Sequence, residues 1–536
     1  MCLRLFRGAP VRPPGCDGMQ RRTSVLILLL IPLLLLPLVS ALPASRSGEL
    51  LVEEAPLNPA FQDLATGGHA IAGEAAASGL FPSPLDRSHL KGAKIPRNKA
   101  KETVSGSAYF IPGEADAGTG MTGSSQATFD LRGLGKVSPV KNQGSCGSCW
   151  AFASYGSLES TLLPGELVDL SENNLKNTHG FDLAPCAGGN ADMSTAYLAR
   201  WSGPVGETAD PYSASGTSSP AGLTPVEHVQ EVFYLPARAS SLDNGNIKEA
   251  LADTGGVYST IYWTSSGYNS SSKAYWYTGG SASNHAITII GWDDAYDRNR
   301  FSPPATGNGA FIVKNSWGTS WGSAGYFMVS YYDSRIGGDS AVFTAEPVED
   351  FDRVYQYDTL GWTRSVGLGS DTAWFGNVFT ASSDEAVAAV SFYTPQVNSS
   401  YLVSVYRDAS PGPTSPAGPV SAVSGIIAVP GYHTILLPEP VRIGQGESFS
   451  AVVRLQTPGY RYPVAVEAPV SGYSGQATAG TGQSWVSRDG TSWKDLTTVT
   501  PNGNACLKVF TRETGTLPLP VLLPAVPSPP RLRGTG

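Results

Sequence analysis

The sequence predicts an α+β domain followed by an all-β domain. Residues 145–163 have the apolar spacing of one buried helix. Residues 285–292 and 309–315 are short β-branched runs, which favour strands. After about residue 355 the chain consists of apolar runs separated by Pro and Gly, a pattern typical of a β-sandwich. The 61 glycines and 41 prolines among 536 residues agree with many turns and short strands.

Composition limits the classes of function. Hydrophobic residues make up 41% of the chain and charged residues 15%, so we expect an ordered core. The formal net charge is -8 and no basic stripe is present, so nucleic acid is not an expected partner. Six cysteines in a chain of this length do not make a disulfide scaffold. We expect the protein to be a monomer.

The N-terminal region carries the pattern of an export signal. The apolar run at 25–39 follows two arginines and precedes small residues, which predicts a signal peptide over residues 1–42. Met19 is an alternative start. The run is short for a membrane span of about 20 residues, so an uncleaved N-terminal anchor is the less favoured alternative. We therefore expect a secreted or extracellular protein, with attachment to the cell surface as a further expectation, in a compartment where disulfides persist.

The rest of the chain divides into four regions. Residues 43–123 are rich in Ala, Gly and Pro with weak periodicity, which indicates a propeptide or linker region. Residues 124–346 carry the mixed helix and strand patterns, and residues 350–512 carry the all-β pattern. Residues 513–536 are Pro-rich and predicted to be a disordered tail.

One cysteine has the surroundings of a nucleophile. The sequence QGSCGSCWAF places Cys149 at the start of the predicted helix, where unpaired N–H groups and the helix dipole favour an anion. Such a position lowers a thiol pKa from about 8.5 to roughly 3.5–7.5. Because the thiolate is the form that attacks a carbonyl, the sequence predicts a nucleophilic Cys149.

Two more residues, which lie much later in the chain, complete a predicted catalytic set. His285 opens the predicted strand at 285–292, and Asn315 lies in VKNSWG. A Cys/His pair needs a third group to orient the imidazole, and a neutral amide can do this without burying another charge. The three residues predict a Cys-His-Asn site that requires neither a metal nor an organic cofactor.

Other chemistries fit parts of these motifs. Cys146 and Cys149 could form a redox dithiol or half of a zinc site, but no second pair of ligands has matching spacing. The G-x-S-x-G match at 318–322 lacks the strand, elbow and helix of a hydrolase nucleophile. The Cys-His-Asn interpretation is therefore preferred.

The segment CGSCW at 146–150, preceded by PVKNQG, resembles the signature of papain-like cysteine peptidases. Four separate motifs occur in the family's order over about residues 128–333. The resemblance implies a two-lobed α+β fold with a helical lobe and a β lobe, endopeptidase activity, and a protein or peptide as substrate.

The resemblance also assigns roles to individual residues. It makes Cys149 the nucleophile, His285 the general base and acid, and Asn315 the residue that orients the imidazole. It places Gln143 in the oxyanion hole. The residues that it places along the substrate are Gly188, Gly189, Trp317 and Ala286, with Trp317 also shielding the contact between histidine and asparagine. It further implies a disulfide between Cys146 and Cys186.

Two features depart from the family pattern. Residues 293–309 lengthen the segment between the histidine and the asparagine, and we interpret them as a surface loop. The region upstream lacks the helical E-R-F-N-I-N pattern of plant and lysosomal proregions. Inhibition by residues 43–123 is therefore expected from their position alone.

The second domain carries a resemblance of its own. YQYDTLGW at 355–362 and GYHTILL at 431–437 look like the lectin-like domain that follows some secreted prokaryotic papain-like peptidases. This implies attachment to carbohydrate or a cell surface, but it does not identify a residue that would bind either.

We expect the peptidase core to form from residues 128–345 alone. The alternatives are a non-catalytic surface adhesin that keeps the papain-like shell, and an acyl transferase or amidase that uses the same triad.

Overall fold

The computed structural model describes residues 52–65, 79–96, 125–165 and 168–513. The predicted signal peptide and the Pro-rich tail from residue 514 onward lie outside these ranges. Within the described ranges, no helix is long and apolar enough to cross a membrane.

The described parts of residues 43–123 are structured, which a linker would not be. They contain strand β1 (Glu53–Glu54), helix α1 (Pro59–Ala65) and a 3-10 turn at Ser88–Leu90. Phe61 of α1 is buried and its ring packs edge-on against Tyr473, with ring centroids 5.9 Å apart. Residues 52–65 and 79–96 are named the pro-segment here because they precede the peptidase motifs.

The helical lobe is built around one buried helix. It contains α2 (Cys149–Leu162), α3 (Glu172–Thr178) and α4 (Ala191–Ala199). The preceding strand β2 (Thr128–Asp130) pairs with the sheet of the β lobe. Helix α2 buries nearly every side chain, as the apolar sequence at 145–163 predicts. The Ser171 hydroxyl caps α3 and the Asn190 amide caps α4, each accepting a backbone N–H of the first turn.

The β lobe confirms the two predicted strands. Its elements are β3 (His228–Leu235), α5 (Gly245–Asp253), β4 (Val257–Ile261), β5 (Tyr268–Asn269), β6 (Ala274–Tyr275), β7 (His285–Asp293), β8 (Ala310–Lys314), β9 (Tyr326–Ser330) and β10 (Ser340–Glu346). Strand β7 lies between β4 and β8 and pairs antiparallel with both. This pairing holds the first residue of β7 and the residue after β8 near each other.

The second domain is all-β, as predicted. Its strands are β11 (Arg353–Tyr355), β12 (Arg364–Gly367), β13 (Thr372–Thr380), β14 (Glu385–Thr394), β15 (Ser399–Arg407), β16 (Ser421–Ile427), β17 (Gly431–Ile443), β18 (Ser448–Gln456), β19 (Val464–Glu467), β20 (Ser484–Ser487), β21 (Trp493–Asp495), β22 (Asn504–Ala505) and β23 (Leu507–Glu513). A six-stranded sheet, ordered β16-β15-β18-β13-β20-β21, shares an apolar core with β14, β17 and β23.

The two domains share a sheet, which the sequence did not lead us to expect. Strand β17 pairs with β3, placing Gly431 opposite Phe233 and Tyr432 opposite Val232. A Cβ atom on Gly431 would lie 1.9 Å from the carbonyl oxygen of Val232, so the pairing requires glycine there. The resulting sheet runs from β11 of the second domain to β5 of the β lobe. Residues 128–345 do not form a sheet of their own, because β3 takes a neighbour from the second domain. That these residues form the peptidase core alone stays a prediction.

Candidate active site

Cys149 is the first residue of α2, where the sequence places it. Its side chain is 0% exposed. The Ala286 backbone N–H donates to Cys149 Sγ at 3.3 Å, and the backbone of Gly79 lies close enough to the thiol to act on its pKa. The thiol is therefore covered by the pro-segment as well as by the β lobe.

His285 and Asn315 are brought together by the β7 and β8 pair. His285 Nε2 lies 2.8 Å from Asn315 Oδ1, and the Ser316 backbone N–H donates to the same oxygen at 2.9 Å. Because an amide oxygen only accepts, Nε2 carries the proton and Nδ1 of the neutral ring is left as an acceptor. Nδ1 has no hydrogen-bond partner among the described residues.

Trp317 covers the bond between His285 and Asn315. Its ring stacks on the imidazole with centroids 4.7 Å apart and an interplanar angle of 25°. An indole in this position excludes water from a hydrogen bond that must keep its direction. The placement agrees with the shielding role that the resemblance implies.

Gln143 lies buried beside the start of α2. Its Nε2 donates to the Cys146 carbonyl at 2.9 Å, and its Oε1 accepts from the Ser316 hydroxyl at 2.6 Å. A primary amide has two N–H groups, so one of them remains for an oxyanion. Ser316 therefore contacts both Asn315 and Gln143, and joins the orienting amide to the predicted oxyanion donor.

Sequence reasoning missed Ser316 and Tyr212. The Tyr212 hydroxyl donates to the Gln143 carbonyl at 2.8 Å and lies 2.8 Å from the Ser148 hydroxyl. Ser316 could have been suggested by its place between Asn315 and Trp317. No local pattern marks Tyr212, which lies in an irregular segment.

Burial controls the ionisation of Cys149 and His285. We call this arrangement, in which the pro-segment covers the thiol, the closed form. Burial raises the pKa of the Cys149 thiol to about 11, although backbone hydrogen bonds from Ala286 and Gly79 oppose the rise. It lowers the pKa of His285 to about 4, opposed by the bond to Asn315. The lowered thiol pKa expected at a helix N-terminus is not found here, because removing the thiol from water outweighs the helix dipole. Both shifts favour the neutral thiol and the neutral imidazole in this form.

The pro-segment occupies the cleft beside Cys149. The Gly189 N–H donates to the Gly79 carbonyl at 3.0 Å, and the Phe81 N–H donates to the Gly189 carbonyl at 2.8 Å. Leu80 and Gly189 thus form a parallel bridge. A Cβ atom on Gly79 would lie 2.3 Å from the carbonyl carbon of Gly147, so the close approach of the two backbones requires glycine at 79.

The other predicted site residues lie around this contact. Gly188 has φ +101 and precedes the paired Gly189, and Ala286 is buried next to His285. Cys146 is bonded to Cys186, as the resemblance implied. Since Cys149 is a free thiol, this bond removes both the redox dithiol and the half zinc site as interpretations of C-x-x-C.

Comparison with known families and proteins identifies both domains. Residues 125–344 match the family described as Papain family cysteine protease, and residues 354–511 match the family described as Lectin like domain. Digestive cysteine proteinase 2 of Homarus americanus is 32% identical over 247 residues, which cover 45% of this chain and 69% of the lobster protein. Cysteine proteinase EP-B 1 of Hordeum vulgare is 30% identical over 248 residues. The match covers 44% of this chain and spans 62% of the barley protein.

Two solved structures resemble both domains together. One is the cysteine protease and lectin-like domains of Cwp84, a surface layer associated protein of Clostridium difficile, with a TM-score of 0.69 and 24% identity. It covers 86% of this chain and 98% of the Cwp84 chain. A second structure, of Cwp84 after propeptide cleavage, has a TM-score of 0.63 and 26% identity, and covers 73% and 100% of the two chains. The papain-like α+β domain and the β-rich lectin-like domain therefore occur together in another protein.

Proposed function

The chain belongs to the papain family of cysteine proteases, and from this premise we propose that it hydrolyses peptide bonds at Cys149. The observation that carries the proposal is the bond between His285 and Asn315, which leaves the second imidazole nitrogen free to move a proton. The proposed substrates are proteins or peptides in extended conformation. The endopeptidase class follows from the family resemblance.

The reaction begins with proton transfer from the Cys149 thiol to His285 Nδ1. The sulfur attacks the peptide carbonyl carbon, a C–S bond forms, and the carbonyl electrons move to oxygen. The free Gln143 amide N–H and the backbone N–H of Cys149 stabilise this oxyanion. The C–N bond then breaks as His285 donates the proton to the leaving nitrogen. A water molecule attacks the thioester, His285 accepts its proton, and the acid product leaves with the thiol restored.

Residues 79–96 keep the enzyme inactive until they are removed. Support comes from the two backbone hydrogen bonds between the pro-segment and Gly189. Support also comes from the complete burial of Cys149. A substrate strand requires the same Gly189 groups, which the family resemblance assigns to substrate binding. Maturation is therefore the removal of the pro-segment from a preformed site.

The second domain attaches the enzyme to a surface or to glycans, and the protein acts outside the cell. The lectin-like family match and the similarity to a surface layer associated protein support this assignment. The apolar run at 25–39 supports export. The same domain also completes the shared sheet through β17, so its role includes holding the peptidase fold.

The proposal is tested by peptide cleavage with the processed protein. Wild type, Cys149→Ala and Cys506→Ala are compared on a peptide library after removal of the pro-segment. Cys506 is the other free thiol of the described residues and is buried in the core, so it controls for loss of a thiol. We expect turnover in wild type and Cys506→Ala, and none in Cys149→Ala. Processed wild type that binds its surface partner but cleaves no peptide would instead support the adhesin.

A further inference from the structure

The side chain of Arg87 fills a pocket of opposite charge. Its Nη1 donates to Asp192 Oδ2 at 3.2 Å, and its Nη2 donates to Asp192 Oδ1. The Arg87 side chain is 16% exposed and that of Asp192 is 5% exposed. A two-pronged bond between a guanidinium and a buried carboxylate fixes direction as well as charge.

Two aromatic rings form the walls of this pocket. The guanidinium carbon of Arg87 lies 4.0 Å from the ring centroid of Tyr234 and 5.2 Å from that of Trp362. Tyr234 belongs to β3 of the peptidase, whereas Trp362 precedes β12 of the lectin-like domain. Stacking on aromatic faces suits a planar, weakly hydrated guanidinium better than an ammonium. Both domains therefore contribute to the recognition of one cation.

A second carboxylate faces the same cation. Burial raises the pKa of Asp339, and the positive charge of Arg87 opposes that rise. Arg87, Tyr234, Asp339 and Leu80 all line a cavity of about 470 Å³.

The pocket lies on the path that the pro-segment takes through the cleft. Gly79 contacts Cys149, Leu80 bridges Gly189, and Arg87 follows further along the same segment. Asp192 lies in the first turn of α4, shortly after Gly189 in sequence. Leu80 and Arg87 line one cavity, so the pocket adjoins the part of the cleft where the pro-segment pairs with Gly189.

Removal of the pro-segment would leave Asp192 without its ion-pair partner. A buried carboxylate that loses its cation is strongly destabilised, so it favours the entry of another cation or of a proton. Asp339 increases this preference because its carboxyl group also interacts with the position that the Arg87 guanidinium occupies. The emptied site is thus selective for positive charge.

We propose that the Arg87 pocket becomes a specificity site for a basic side chain of the substrate, arginine above lysine, after the pro-segment leaves. This inference rests on the proposed function, because it requires a processed enzyme that binds peptides along Gly189. The lectin-like domain then takes part in substrate selection through Trp362.

The test compares peptides that differ in one side chain. Matched series place arginine, citrulline, lysine or glutamine at each position on the amino-terminal side of the scissile bond. Citrulline keeps the shape of arginine but lacks its charge. Processed wild-type enzyme should show kcat/KM at least about tenfold higher for arginine than for citrulline at one position, the size expected of one charged hydrogen-bonded pair. Lysine should fall between the two.

Variants assign the effect to the pocket. Asp192→Asn should bring the ratio for arginine over citrulline close to one, and Asp297→Asn should leave it unchanged. Asp297 is an exposed carboxylate of the same domain and controls for the loss of one negative charge. A ratio that survives in Asp192→Asn would overturn the assignment. The wild-type comparison requires no variant, so misfolding of Asp192→Asn would not remove the test.

Binding separates this proposal from the proposed function. Affinities of the same peptides are measured on processed Cys149→Ala protein, in which turnover plays no part. We expect the arginine peptide to bind about tenfold more tightly than the citrulline peptide. Equal affinities, or equal kcat/KM at every position in wild type, would overturn the pocket even if peptides are cleaved. Absence of cleavage with a preserved binding preference would overturn only the proposed function.

Discussion

The amide of Gly189 donates a hydrogen bond to the carbonyl oxygen of Gly79 at 3.0 Å, and this bond holds the pro-segment against the cleft. The backbone of Gly79 also reaches the Cys149 thiol. Gly79 thus lies against both Gly189, which we propose binds the substrate, and Cys149, the proposed nucleophile. The closed form keeps the catalytic residues assembled while their solvent access is blocked.

Gly79→Ala should weaken the closed form. The added methyl would lie 2.3 Å from the carbonyl carbon of Gly147, and backbone atoms cannot move away as a flexible side chain can. We expect faster maturation and a higher rate of peptide cleavage before processing. Ser88→Ala, at an exposed position of the same segment, should leave both rates unchanged. Equal maturation rates in Gly79→Ala and wild type would contradict this role.

The Cys149 thiol should react slowly before processing. With a pKa of about 11, about one thiol in 10⁴ is ionised at pH 7, and the fraction rises as the pH approaches 11. Alkylation by iodoacetamide should therefore accelerate strongly once the pro-segment is removed. Labelling is measured at Cys149 by peptide mapping, with buried Cys506 as an internal reference. Equal rates at Cys149 before and after processing would show that the pro-segment does not cover the thiol.

Acid should destabilise the closed form through His285. Burial lowers the pKa of this residue in the folded protein to about 4, from an ordinary value of 6.5. A depressed imidazole pKa contributes stability above pH 6.5, and this contribution is lost as the pH falls from 6.5 to 4. The contribution of His285 to the Tm of unprocessed Cys149→Ala should decrease over this window, whereas Glu172 and Glu467, whose pKa values burial raises, contribute in the opposite direction. His179 and His228 have pKa values lowered by burial to about 4 and add to the same loss.

A His285→Gln variant separates the contribution of His285 from theirs. Acidification from pH 6.5 to 4 should lower its Tm less than it lowers that of the parent protein, because the variant has no imidazole to protonate at this position. An unchanged slope would mean that His285 is not buried as a neutral ring in the closed form.

Gln143→Ala should lower kcat of the processed enzyme by about 10²–10³, the effect of losing one preorganised oxyanion donor. KM should change little, because the contact strengthens only when the carbonyl becomes an oxyanion. Steady-state kinetics on one small peptide measure both values. A large rise in KM at constant kcat would place Gln143 in substrate binding instead.

The pairing of β17 with β3 makes the lectin-like domain part of the peptidase fold. Truncation at Glu346 should leave β3 with an unpaired edge and expose apolar residues that both domains now bury, among them Tyr234 and Tyr432. We therefore expect a lower Tm for the truncated protein, by at least about 5 °C, since each kcal/mol lost shifts Tm by roughly 2–4 °C at this size.

A single substitution in the full chain tests the junction between the two domains, that is, the pairing of β17 with β3. Gly431→Ala places a methyl group against the Val232 carbonyl and should lower Tm. Gly133→Ala should have little effect, because nothing lies within 4 Å of its added atom. Equal Tm values for the two variants would contradict a structural role for the junction.

Local pattern predicted the parts of the site that belong to short motifs. The start of α2 at Cys149, the strand that opens with His285, and the bond from Cys146 to Cys186 follow from residues close to recognisable signatures. The pocket of Arg87 could not be predicted, because Asp192, Tyr234 and Trp362 are far apart in sequence and carry no common motif. The same holds for the pairing of Tyr432 with Val232, which depends on how two domains pack. The raised pKa of Cys149 in the closed form could not be predicted, since the sequence does not show that the pro-segment covers the thiol.

Covalent labelling of the processed protein tests the central claim most directly. An epoxide that alkylates thiolates is titrated against processed wild type, and peptide turnover and the labelled residue are measured in each sample. We predict that one equivalent of label enters at Cys149 and that turnover falls in proportion to the labelled fraction, because this thiolate is the nucleophile. Turnover that persists when Cys149 is fully labelled would contradict the account.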